Sequence, residues 1–304
     1  MNRLIRHGLP ALLGGAIVLT TACAPLSTIA GGASGAGGVV PVRAPRGLFT
    51  EKRFGVRVTP GLVYGSAAVR QPSPATMQLR LDLYEPTGAN LPASRPGVIL
   101  LHGGGFNGGD RSNAMTSGLC RELAGRGYVC GSIDYRLQGD APPTTGATPR
   151  ERAALAAMED AGTALQWMRG NASQYGVDAS RTVVGGGSAG AAVAMLLTYS
   201  GVVSGPPAAA VIDLWGSMDA YVDNMKSGAP PIIIIHGMYD PTVPISEAQK
   251  IANRAQSVGV PYAFLPLPSK GHTHDLGATV QGETLYQHIA NFLFTNLRLS
   301  TLAG

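Results

Sequence analysis

Thr182-Val183-Val184-Gly185-Gly186-Gly187-Ser188-Ala189-Gly190-Ala191-Ala192-Val193-Ala194-Met195-Leu196-Leu197-Thr198 is the stretch whose reading decides the fold. Residues 182–184 are β-branched and read as a buried strand, and 189–198, rich in Ala, Met and Leu, read as a helix. Between them Gly186-Gly187-Ser188-Ala189-Gly190 forms a G-x-S-x-G. Such a strand-to-helix turn is sharp, and small residues on either side let a serine oxygen project above a sheet. The helix start behind it offers unpaired N–H groups and the positive end of a dipole, which favour a developing oxyanion. A glycine-packed turn with a capping serine would use the same five residues, so the surrounding chain has to decide.

Outward from this turn, short apolar strands alternate with helices. Strands are expected at 62–69, 77–84, 98–101, 128–133, 208–214, 232–235 and 262–265, and helices at 115–124, 150–171 and about 282–297. All-apolar strands separated by helices imply a mostly parallel central sheet covered on both faces, an α/β fold. The first two strands are more polar and joined by a turn-rich loop, which fits an antiparallel edge. Active groups then belong at the carboxyl ends of the parallel strands. Only about 17 residues separate the strands ending near 214 and starting at 232, too few for a large helical lid.

A second glycine turn follows the strand at 98–101: His102-Gly103-Gly104-Gly105-Phe106. Consecutive glycines free the backbone to aim an N–H at a carbonyl oxygen. With the N–H of Ala189, Gly104 and Gly105 are the candidate oxyanion donors. The candidate acid is Asp240, in the turn after 232–235; Asp219, after the preceding strand, is its rival. The base belongs further on, in the order Ser…Asp…His. His272 and His274 both qualify, and His272 is preferred because its flanking glycine gives an exposed turn. Phe106, Trp215 and Met218 are the candidate substrate-binding residues. A histidine base implies activity that rises through about pH 6.5 to 7.5 as the imidazole loses its proton. A pH–rate profile is the check, and a flat profile down to about pH 5 would count against it.

From about residue 79 to 297 the chain resembles the carboxylesterases of the α/β-hydrolase fold, in the lipase/esterase branch that carries HGGGF. The resemblance extends to Asp134-Tyr135-Arg136-Leu137, to Met158-Glu159-Asp160 through Trp167, and to Tyr175-Gly176-Val177-Asp178 with Arg181. It implies a serine carboxylic-ester hydrolase with Ser188 as nucleophile, His272 as base and Asp240 as its partner. It also implies loop-organising roles for His102, Asp160 and Arg181. A small, open site would favour short acyl chains or exposed esters over long triglycerides. Amidases and arylformamidases share the fold and triad, and a surface lipoprotein using the fold only to bind is the non-enzymatic alternative. Prolyl peptidases are disfavoured, because no propeller is present.

Composition narrows the rest. The chain has 304 residues, 45% apolar and 13% charged, enough for one large core. The formal charge is +5; without Arg3 and Arg6, 21 basic face 18 acidic residues. That is too mild for a nucleic-acid surface, and no Lys/Arg stripe with aromatics appears. No metal-ligand spacing appears either, and no cofactor is implied.

Arg3, Arg6 and His7, an apolar run over 9–19 and small residues at 20–22 read as a signal peptide over 1–22, hence export. Cys23 sits where the lipidated cysteine of a bacterial lipoprotein would, although Thr20 stands where leucine is usual. Periplasmic, membrane-anchored and secreted destinations are all compatible. Residues 23–47, rich in Gly, Ala, Ser and Pro, read as a flexible tether, and 48–304 as the folded domain. Cys120 and Cys130 have two readings: a disulfide in an oxidising compartment, or two small buried apolar residues.

Overall fold

The computed structural model describes residues 43–202, 207–268 and 271–301. The leader, Cys23 and most of the tether lie outside the described residues. In chain order the elements begin with β1 (Gly55–Val69), β2 (Ala75–Thr87), β3 (Arg95–Leu101), α1 (Ala114–Ala124), β4 (Val129–Ile133), α2 (Pro149–Gly170) and α3 (Ala172–Tyr175). They continue with β5 (Val177–Gly187), α4 (Ala189–Tyr199), β6 (Ala210–Leu214), β7 (Ile232–Gly237), α5 (Ile245–Val258) and β8 (Tyr262–Leu267). A small hairpin, β9 (Thr279–Val280) and β10 (Glu283–Thr284), precedes α6 (Leu285–Asn296).

Eight strands form one sheet in the order β1-β2-β4-β3-β5-β6-β7-β8. β1, β2 and β4 pair antiparallel in sequence, and every pairing from β4 through β8 is parallel. Alternation along the strands builds two cores. Ile99, Leu101, Val184, Val211 and Ile234 face residues of α2, α4 and α5, while Val98, Leu100, Val183, Ile212 and Ile235 face α1 and α6. This is the α/β-hydrolase arrangement: a mostly parallel sheet with helices on both faces. Between β6 and β7 the chain makes a short 3₁₀ turn, Asp219–Asn224.

Element ends follow local chemistry. Thr148 and Glu151 form a reciprocal cap at the start of α2, with Pro149 at its first position. Asn113 caps α1 through its side chain. β1 starts seven residues before the expected 62, because Pro60-Gly61 reads as a turn but is absorbed as a register irregularity between Thr59 and Leu62. β1 is an edge strand, where a proline lacking its N–H breaks no inner ladder. Cys120 and Cys130 form a disulfide, with Cα atoms 5.1 Å apart, that fastens α1 to β4.

One buried group runs against the apolar pattern. Asp213, fully buried on β6, shares the face of Val211, toward α4. Its Oδ1 accepts the Gly216 N–H at 2.8 Å. Burial pushes its carboxyl up to about 7, with the Gly216 bond opposing. The folded state therefore binds this proton more tightly than the unfolded chain does. The resulting stability is full below the unfolded value near 4 and is lost as pH rises through about 7. Asp213→Asn keeps an acceptor for Gly216 and cannot ionise. In thermal melts its Tm advantage over the parent should be smallest near pH 4, grow between about pH 4 and 7, and reach several degrees near pH 8.5. A Tm difference independent of pH would refute an ionising Asp213.

Candidate active site

Ser188 lies between β5 and α4 with φ 54° and ψ −119°, a conformation that is strained for any residue with a side chain. The strain is held by close packing. A Cβ on Gly186 would sit 2.4 Å from the Leu101 carbonyl oxygen, and one on Gly190 would sit 2.3 Å from that same oxygen. Both flanking glycines are thus dictated by the end of β3 pressing on the turn. The Ser188 N–H donates to the Leu214 carbonyl at 2.9 Å, tying the turn to β6 as well.

Three residues distant in sequence meet here. His272 Nε2 lies 2.8 Å from Ser188 Oγ, and its Nδ1 lies 2.8 Å from Asp240 Oδ2. The other carboxylate oxygen of Asp240 accepts the N–H groups of Thr242 and Val243 at 2.8 and 2.9 Å. Burial alone would raise the Asp240 carboxyl, but the bonds from Val243, His272 and Thr242 together hold it below its ordinary value. Asp240 is therefore a fixed anion that orients the imidazole.

The glycine strap lies against the serine. A Cβ on Gly103 would come within 3.3 Å of Ser188 Cβ. Gly104 (φ 117°), Gly105 (φ 62°) and Phe106 (φ 65°) all adopt positive φ. At Gly104 even alanine is barred, since its Cβ would meet the Gly108 carbonyl at 2.1 Å. Among the described residues, no acceptor takes the N–H of Gly104 or Gly105. His102 organises the strap: it stacks on Tyr135 at 4.3 Å, and its Nδ1 lies 2.7 Å from the Gly103 carbonyl. Burial lowers its basicity, keeping it neutral. The Gly105 carbonyl is held from outside by Gln138 Nε2 at 3.2 Å and Arg150 at 3.4 Å. Arg111, bonded to both Asp82 and Asp134, secures the following loop.

Together these elements border a cleft of about 890 Å³. It is lined by Gly103–Phe106, Ser188, Ala189, Trp215, His272 and His274, with Arg150, Asp219 and Glu247 as its charged residues. The expected small site is corrected: this volume is near the top of the usual range of about 300–1,000 Å³ for ligand clefts. Met218 is also corrected. It is buried in the core toward α4 and does not line the cleft, whereas Trp215, also buried but packed on the opposite face of the sheet, does. Asp219 lines the cleft but accepts a bond from Ser217, and Asp240 holds the imidazole. His274 packs edge-on against Trp215 at 5.0 Å, and His272 is the histidine between Ser188 and Asp240. Asp160 binds the backbone and guanidinium of Arg136 in the loop after β4, and Arg181 pairs locally with Asp178 at 3.5 Å.

Sequence reasoning missed Arg150, Glu247 and the Thr242-Val243-Pro244 wall, which reach the cleft from helix starts and loops with no motif of their own. It also missed His236, discussed below. Among the described residues, no group of three or more His, Cys, Asp or Glu is arranged to hold a metal ion, and no helix is long and apolar enough to cross a membrane.

Comparison with known proteins agrees with this geometry. The BD-FAE family model matches residues 81–220, and that of the prolyl oligopeptidase family matches 214–300. Each of the two models covers less than half of the chain. It is similar to Esterase LipQ of Mycobacterium tuberculosis, 26% identical over 243 residues covering 65% of this chain and 55% of that protein. To Esterase LipI of the same organism it is 34% identical over 127 residues, 41% of this chain and 36% of that one. Among solved structures, propionate-bound esterase Est2 of Thermogutta terrifontis superposes with a TM-score of 0.61 at 22% identity, covering 80% of this chain and 95% of the other. The chain spans about half the length of the first curated relatives it matches.

The elbow glycines give a direct check. Gly190→Ala drives a Cβ into two backbone carbonyls, Leu101 at 2.3 Å and His102 at 2.6 Å. Gly170→Ala, near the end of α2, meets nothing within 4 Å. Thermal melts should show Gly190→Ala strongly destabilised or insoluble and Gly170→Ala neutral or stabilised by up to about 1 kcal/mol. Equal effects would mean that the contact between β3 and the elbow is not as tight as its geometry implies.

Proposed function

We propose that the chain is a serine carboxylic-ester hydrolase acting through an acyl-enzyme. The observation that carries this reading is the continuous chain of 2.8 Å contacts from Ser188 through His272 to Asp240, beside a glycine strap with unpaired N–H groups. Ser188 attacks the ester carbonyl while His272 takes its proton, and Asp240 fixes the imidazole tautomer and stabilises its charged form. The tetrahedral oxyanion rests on the N–H groups of Ala189 and of Gly104 or Gly105. His272 then protonates the departing alcohol, and water releases the acid by the reverse sequence. Phe106 and Trp215 provide apolar contact, and with only a short 3₁₀ turn between β6 and β7 the cleft stays accessible to exposed esters, while its volume does not confine the acyl group to short chains. Similarity to proteins named as esterases supports the same reading.

Amide cleavage is the second reading, favoured by one observation: the prolyl oligopeptidase match falls on 214–300, the half that carries Asp240 and His272. We also propose that the protein is exported, with Cys23 as a lipid-attachment candidate. The disulfide between Cys120 and Cys130 supports an oxidising compartment.

Hydrolysis of p-nitrophenyl esters from acetate to palmitate, beside the matching anilides, is the test. Ester turnover should exceed anilide turnover, the chain length at which it peaks reports how much of the cleft the acyl group fills, and Ser188→Ala should abolish it by about 10⁴-fold or more. Turnover of anilides alone would replace the esterase reading with the amidase one. Turnover of neither by folded protein would leave a binding role.

A further inference from the structure

The acid of the proposed triad has a second histidine against it. His236 stands near the end of β7, fully buried. Its Nε2 lies 2.8 Å from the Val243 carbonyl oxygen and 3.3 Å from Asp240 Oδ2, the same oxygen that faces His272. Both neighbours of Nε2 are acceptors, a carbonyl and a carboxylate, so Nε2 must carry the proton. Nδ1 is then a bare acceptor, and no described group bonds to it. One tautomer follows from geometry alone.

We propose that His236 is a positioning residue for Asp240, donating its Nε2–H to the Val243 carbonyl while presenting the positive end of that N–H to the Asp240 carboxylate, and so setting how that carboxylate meets His272. This rests on the triad reading above. With His236 included, Asp240 has four N–H groups against it: Thr242 and Val243 donate to Oδ1 and His272 faces Oδ2 at hydrogen-bond distance, while His236 Nε2, whose hydrogen bond goes to the Val243 carbonyl, makes a looser electrostatic contact with Oδ2 at 3.3 Å. The first pair and the third hold the carboxylate in place, and the fourth does two further things. It joins the strand end to the loop 240–243, because the ring that donates to the Val243 carbonyl also stands against the acid three residues before it. It also draws charge from the oxygen that supports His272, leaving that oxygen less basic.

The arrangement works only while His236 is neutral. An imidazolium here would compete with His272 for the charge of Asp240. Burial is the largest influence on His236 and lowers its basicity, as does the positive field of His272 when charged; Val243, Asp240 and, from α5, Glu247 act the other way. The net result favours the neutral ring. The sheet explains the burial: along β7 the side chain falls on the face of Ile232 and Ile234, under the start of α5.

Two measurements decide it. Long-range ¹H–¹⁵N spectra of the labelled protein need no substrate and report each histidine's tautomer. His236 should read as neutral Nε2–H from about pH 5 to 9; an Nδ1–H tautomer, or titration inside that window, would overturn the assignment. Kinetics on an ester that the parent turns over then compare His236→Leu, which removes the donor, with His236→Gln, whose amide nitrogen can reach the Nε2 position. The Leu variant should lose about 10- to 100-fold in kcat with KM changed less than about threefold. Its acid limb should move up by about half a pH unit, since an Asp240 relieved of one donor favours protonated His272 more strongly. The Gln variant should recover most of the rate and the parental limb. Equal losses in both with an unmoved limb would reduce His236 to a packing residue. If the Leu variant does not fold, the Gln variant and the spectra still decide. Should no ester be turned over, the spectra test His236 by themselves, so failure of the esterase reading and failure of this one are separable.

Discussion

The contact on which the structure depends is the approach of the Leu101 carbonyl, at the end of β3, to the turn between β5 and α4. Two glycines, Gly186 and Gly190, leave room for one oxygen, and a methyl group at either position would overlap it. This closeness brings the strap that follows β3 against Ser188. It also keeps Ser188 at a φ of 54°, which an isolated turn would relax. The site is pre-organised because two neighbouring parallel strands end at the same height and each opens into glycine.

Charge is arranged around this contact with a consistent logic. Ions that hold loops are paired: Arg111 between Asp82 and Asp134, and Arg136 on Asp160. Asp240 is stabilised as an anion by N–H donors rather than by a cation. A full positive charge next to it would quench the field it offers to His272, whereas dipoles leave that field available. His102 and His236, both buried and both pushed toward neutrality, serve as uncharged props, so only His272 is placed to cycle its proton at the serine.

The cleft reflects how the walls are supplied. Its floor comes from strand ends and the two glycine turns, and its sides from the starts of α2 and α5 and the turn after β6. Arg150 and Glu247 arrive from these helix starts, and Trp215 from a residue at φ 51°. None belongs to a motif, which is why the chemistry was easier to locate than the shape of the space around it.

The sequence by itself determined the α/β alternation, the two glycine turns after apolar strands, and Ser188 as the residue at the head of the second. These are properties of short segments: periodicity, β-branching and the backbone freedom of glycine act within a few residues of themselves. Only the tertiary structure decided between His272 and His274, sent Met218 into the core, gave Asp160 its partner in Arg136, and set His236 against Asp240. Each of those outcomes turns on which face a side chain takes where several elements converge, a matter of angstroms that no local pattern encodes. β1 shows the same limit from the other side: it runs through Pro60-Gly61, on an edge strand, with a register irregularity between Thr59 and Leu62.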